Sequence, residues 1–89
     1  MAEITVTPVA AGRFHVVVRE RGSSTEHDVT LSESDFERLG VGRPSPAELV
    51  RSCFEFLLER ESKESILASF DVSVIGRYFP EFETTIRRG

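Results

Sequence analysis

The sequence predicts an α+β fold in which an antiparallel sheet comes first and helices follow. Three observations carry that expectation. Apolar residues alternate with period two through the first third of the chain, helix-start signals and helical periodicity fill the rest, and turn residues separate the segments.

In the first alternating segment Ile4 and Val6 stand against Thr5 and Thr7. The second sets Phe14, Val16 and Val18 against His15, Val17 and Arg19. The third sets Val29 and Leu31 against Glu26, Asp28 and Thr30. Successive side chains of a strand point to opposite faces, so each segment has one apolar side. Ala10-Ala11-Gly12 suits a three-residue hairpin loop with Gly12 in the left-handed conformation, and this pairs Val6 with Val16 and Ile4 with Val18. Pro8 lacks an N–H and belongs on an edge strand. A four-residue loop, Arg21-Gly22-Ser23-Ser24, opposes Val16 to Val29, Phe14 to Leu31 and Arg19 to Glu26. The expected sheet, over residues 1–31, is a three-stranded antiparallel meander with one apolar and one polar face.

The helical part, residues 32–89, is expected to pack on the apolar face. Ser32 is a good N-cap, Leu31 and Phe36 suit a hydrophobic staple, and Gly40 closes this short helix. Ser45-Pro46-Ala47-Glu48 is a stronger start, with a cap, proline at the first helical position and glutamate at the third. It opens one long helix, 46–61. Its residues Leu49, Val50, Cys53, Phe54, Phe56, Leu57 and Leu58 spread over an arc of roughly 200°. That arc is wider than one sheet covers, so either later helices wrap it or another chain does. Ser62 is expected to cap a short helix bearing Ile66, Leu67 and Phe70. Asp71 is expected to cap another through Val72, Ile75 and Tyr78, with a strand over Val72–Val74 as the alternative. Pro80 breaks that element, and Glu81 to Ile86 form a last turn or two.

The composition bounds the function. A chain of 89 residues reads as a single domain, one that buries only about 60–65% of its unfolded surface. No apolar run approaches the ~20 residues that span a bilayer, so no membrane association is expected. The segment Met1 to Val6 carries neither the basic nor the apolar region of a secretory leader. The lone Cys53 forms no internal disulfide, and a cytoplasmic location is expected. The net charge of −4 argues against general nucleic-acid binding.

No catalytic or metal-binding set is expected, and no cofactor. Cys53 lies on the apolar stripe in mid-helix, where a free thiol packs as a small hydrophobe. His15 and His27, with one cysteine, offer too few ligands for a metal. His27 falls on the apolar face, where a half-buried, hydrogen-bonded role is expected and a pH-sensing role is the alternative. Gly40-Val41-Gly42-Arg43-Pro44 lacks the lysine and glycine spacing of a phosphate cradle. The run Leu58-Glu59-Arg60-Glu61-Ser62-Lys63-Glu64 reads as a solvated helix end of mixed sign.

Two surfaces remain as candidates. Phe56, Leu58, Tyr78, Phe79 and Phe82 form an aromatic and apolar set that either folds inward or meets another chain. Arg13, His15, Arg19 and Arg21 line the outer face of the middle strand and form the candidate anion or nucleic-acid face, although it has no aromatics for base stacking and Glu26 and Asp28 lie beside it. The leading expectation is a non-catalytic protein-interaction or adaptor module, with a homodimer as one form of it. A nucleic-acid-associated regulator and a small-ligand-binding domain are the alternatives.

Overall fold

Alternation delivers the expected meander, and the register of its second hairpin differs from expectation. The computed structural model describes residues 2–88. Strands β1 (Glu3–Ala10), β2 (Arg13–Glu20) and β3 (Ser23–Thr30) pair antiparallel in chain order. In the first hairpin Ile4 opposes Val18 and Val6 opposes Val16, as expected. The register slips by one residue between Pro8 and Ala10, and Gly12 adopts a φ of +70°. A Cβ at Gly12 would lie 2.9 Å from the Leu31 carbonyl oxygen, so the turn needs glycine for space as well as conformation. Pro8 sits on β1, which is an edge strand.

The second hairpin turns on Arg21 and Gly22 alone, with φ of 56° and 81°. Two successive left-handed residues make the tight turn whose twist suits adjacent strands. Phe14 therefore faces Val29, Val16 faces His27 and Arg19 faces Ser24, two residues away from the expected pairing. A slip of two preserves which side chains share a face. The hydrophobic pattern is equally satisfied by both registers, and turn geometry decides between them. Arg19 consequently pairs with Glu3 across β1, at 3.6 Å, instead of with Glu26.

Helix α1 (Glu33–Leu39) begins where Ser32 Oγ accepts the Asp35 N–H at 3.1 Å. Helix α2 (Pro46–Leu58) begins with Ser45 Oγ accepting the Glu48 N–H at 3.3 Å. It stops short of residue 61 because the N–H groups of Arg60 and Glu61 both close onto the Leu57 carbonyl, at 2.9 Å each. The Arg60 guanidinium also donates to the Phe56 carbonyl at 3.1 Å, occupying an acceptor at the helix end.

The largest departure lies in the next segment. The helix expected after Ser62 is one 3-10 turn, Lys63–Ser65. The chain then extends into a fourth strand, β4 (Ser69–Asp71), parallel to β3, so the sheet is mixed and four-stranded. Without β4, the outer edge of β3 would leave backbone groups unpaired over the core. The Asp28 N–H donates to the Ala68 carbonyl at 2.8 Å, and Thr30 Oγ1 donates to Asp71 at 2.5 Å. No strand forms at Val72–Val74. Those residues make a 3-10 turn whose cap is Asp71, accepting from the Ser73 N–H at 3.0 Å, and α3 (Ile75–Tyr78) continues from it. Helix α4 (Phe82–Arg88) follows Pro80.

One contiguous core joins the inner face of the sheet (Ile4, Phe14, Val16, Val18 and Val29) to Leu49, Val50, Phe54, Leu57, Val72, Ile75, Phe82 and Ile86. The wide arc of α2 is therefore covered within the chain. Phe54 is fully buried, with its ring centroid 5.3 Å from the His27 ring and 5.9 Å from Phe70.

Candidate functional site

The aromatic candidates divide once the chain folds. Phe56 and Phe82 are buried at 4% and 2% exposure, which corrects their assignment as interface residues. Their rings meet edge-to-face at 5.1 Å, and Phe79 adds a second such contact to Phe56 at 5.9 Å. Arg60 stacks 3.6 Å from the Phe56 ring centroid and donates to Glu81 at 3.0 Å, so it fastens the end of α2 to the start of α4. Arg38 does the same for α1 and α4 by bridging Asp35 and Glu83. The run 59–64 is thus less solvated than expected: the Arg60 side chain is mostly covered, and Lys63 is buried with its ammonium 2.8 Å from Glu64. Leu58 and Phe79 are half-buried against the core, and Tyr78 remains outside.

Tyr78 stands on the rim of an apolar groove of about 220 Å³. Leu57 from α2, Ile66 and Leu67 from the extended segment, and Phe70 from β4 make one wall. Val74, Ile75, Tyr78 and Phe79 line the rest of the groove, together with Glu61. Leu67 and Tyr78 are 49% and 67% exposed, so the apolar lining reaches the surface. Apart from Tyr78 and Phe79 these residues were not singled out in the sequence. The sequence places Leu67 and Phe70 on a short helix after Ser62. Their actual placement depends on the pairing of β4 with β3.

His27 holds the Leu67 wall in place. Its Nδ1 donates to the Leu67 carbonyl at 2.7 Å, and its Nε2 is hydrogen-bonded to the Thr25 hydroxyl at 2.8 Å. A carbonyl only accepts, so Nδ1 carries a proton. Among the described residues no buried side-chain polar atom lacks a partner.

The basic row on the outer sheet face is largely consumed by its neighbours. His15 lies between two carboxylates, with Nδ1 3.2 Å from Asp28 and Nε2 3.0 Å from Glu26. Arg19 faces Glu3. Arg13 and Arg21 stand at opposite ends of β2, roughly 26 Å apart at about 3.3 Å per residue. This face does not present a continuous cationic track.

Both ring nitrogens of His15 donate only when the imidazole is charged. The Asp28 hydrogen bond, partly opposed by desolvation and reinforced by Glu26, raises its pKa above 6.5. A raised folded-state value means that the stabilisation is complete below the unfolded value near 6.5 and fades as pH rises through the folded value. His15→Gln is therefore expected to lower the melting temperature more at about pH 5.5 than at about pH 9. Thermal melts of both proteins across that range check this. A pH-independent difference would show that Glu26 and Asp28 do not hold a charged ring.

Cys53 is fully buried, and burial pushes its thiol up to about 12, partly offset by Arg43, so it stays protonated and inert at neutral pH. Arg43, in the glycine-containing loop before α2, donates to Ser52 Oγ at 3.1 Å. Among the described residues there is no group of three or more His, Cys, Asp or Glu placed to hold a metal ion. Among them also, no helix is long and apolar enough to cross a membrane. No protein-family model, curated protein or solved structure matches the chain.

Proposed function

We propose that the protein is a non-catalytic interaction module whose groove, between Leu67 and Tyr78, receives apolar side chains of a partner protein. The observation that carries this reading is an apolar channel open to solvent and walled by two large, exposed side chains. Exposed apolar surface lined by aromatics is where interface anchors bind. Its size favours a side chain over a metabolite. Ligand pockets usually run to about 300–1,000 Å³, whereas an apolar cavity of about 150 Å³ accommodates a benzene ring. The groove therefore fits one or two apolar side chains. The buried, protonated thiol of Cys53 suits a reducing compartment, and the cytoplasm is the location proposed.

Selection of a random-peptide phage library on the immobilised protein tests the proposal. Enriched peptides are expected to bind the wild type and to lose at least about tenfold in affinity, roughly 1.4 kcal/mol, on Leu67→Arg or Tyr78→Ala. Both positions are exposed, so circular dichroism is expected to be unchanged. Peptides that bind both variants as well as the wild type, or a selection that enriches nothing, would overturn the groove as the binding site.

A further inference from the structure

We infer that the segment taken by the groove is a basic–apolar one: an apolar anchor with an arginine or lysine close beside it in sequence, the cation facing Glu61. The inference rests on the groove being a protein-binding site and adds the chemistry of its occupant.

Glu61 is the one carboxylate in the groove lining, half-buried beside Leu57 and Ile66. Among the described residues it takes part in no ion pair. The cations nearest to it in sequence are committed elsewhere. Arg60 is held by Glu59, Glu81 and the Phe56 ring, and Lys63 is buried against Glu64. Arg77 precedes Tyr78 but does not line the groove.

An unneutralised carboxylate in the lining of an apolar channel discriminates between occupants. A cation brought beside it gains an interaction strengthened by the low-dielectric walls, and an anion is repelled. Arginine suits this position particularly well, since its guanidinium is weakly hydrated and binds a carboxylate through two parallel hydrogen bonds. The chain's own charge of −4 favours approach of a basic segment over longer range.

The test uses the enriched peptides, made synthetically and titrated by fluorescence polarisation. The expected result has two parts. Arginine or lysine is over-represented within four residues of a Leu, Ile, Phe or Met anchor, and Glu61→Gln weakens binding about five- to tenfold. Glu55, exposed on α2 and outside the groove lining, serves as the control for net charge: Glu55→Gln is expected to leave affinity unchanged. Glu61→Arg, used in a second selection, is expected to enrich acidic peptides in place of basic ones. Groove-dependent peptides with no basic preference, or equal effects of Glu61→Gln and Glu55→Gln, would overturn this inference and leave the groove intact as a site. Peptides insensitive to Leu67→Arg would overturn both. Sedimentation of the wild type as a dimer that Leu67→Arg dissociates would identify a second copy as the occupant and likewise overturn it.

Discussion

Phe82→Glu is expected to leave the chain unfolded at room temperature, whereas Tyr78→Glu leaves it folded. Phe82 is 2% exposed and packs edge-to-face on Phe56 at 5.1 Å. Removing a buried phenylalanine costs about 3–5 kcal/mol. A carboxylate placed there adds several kcal/mol more, either as an unpaired buried charge or as the penalty of protonating it. A domain of this size has a total stability of roughly 4–13 kcal/mol. The substitution consumes most or all of that. Arg60 and Arg38 are both already held, by Glu81 and the Phe56 ring and by Asp35 and Glu83, so pairing with position 82 would break existing contacts. Tyr78, at 67% exposure, lets a carboxylate remain in water. Circular dichroism and amide chemical-shift dispersion of the two variants decide the matter. A folded Phe82→Glu protein with wild-type melting behaviour would mean that α4 does not pack over α2, and Phe82 would return to the interface.

His27→Ala is the second large effect, and it reaches the groove. The ring is 3% exposed, bonds to Leu67 and Thr25, and packs on the fully buried Phe54. Alanine leaves the Leu67 carbonyl without its donor, at about 1–3 kcal/mol, and opens a cavity beside Phe54 at a comparable cost. A total of about 2–5 kcal/mol is expected. With a urea slope near 1 kcal/mol per molar for a chain this small, the unfolding midpoint falls by roughly 2–5 M. Because the lost bond holds Leu67 over the groove, protection of the Ala68–Asp71 amides from hydrogen exchange is expected to fall further than that of β1 and β2. Uniform loss of protection would show that His27 contributes only to global stability.

The reach of the sequence is clearest element by element. The caps at Ser32, Ser45 and Asp71 act through hydrogen bonds to backbone within three residues, and such local chemistry is written in neighbouring positions. The meander was legible because alternation reports which face is buried. The pairing of β2 with β3 was not, because two registers differing by two residues bury the same set. The outer arginine row was likewise visible, and so was the chance of its neutralisation by Glu26 and Asp28. Which carboxylate meets which cation followed from that undetermined register: His15 took the two acids expected to serve Arg19 in part, and Arg19 turned to Glu3.

Sequence patterning places Ile66, Leu67 and Phe70 on a short helix, because three residues of strand leave no period to detect. Their extended form answers a need created elsewhere, the open edge of β3 and the unshared Nδ1 proton of His27, some forty residues earlier. The groove is built from that segment and from α3, so it was invisible for the same reason, with Tyr78 and Phe79 its only members picked out beforehand. By itself the sequence determined the α+β class, the sheet-then-helix order, the caps at Ser32, Ser45 and Asp71 though not the one expected at Ser62, and the two-faced sheet, all consequences of patterns and interactions between residues close along the chain. Tertiary structure alone decided the hairpin register, the fourth strand, the inward turn of Phe56 and Phe82, and the groove, because each depends on backbone and side-chain groups that meet only after the chain has folded back on itself.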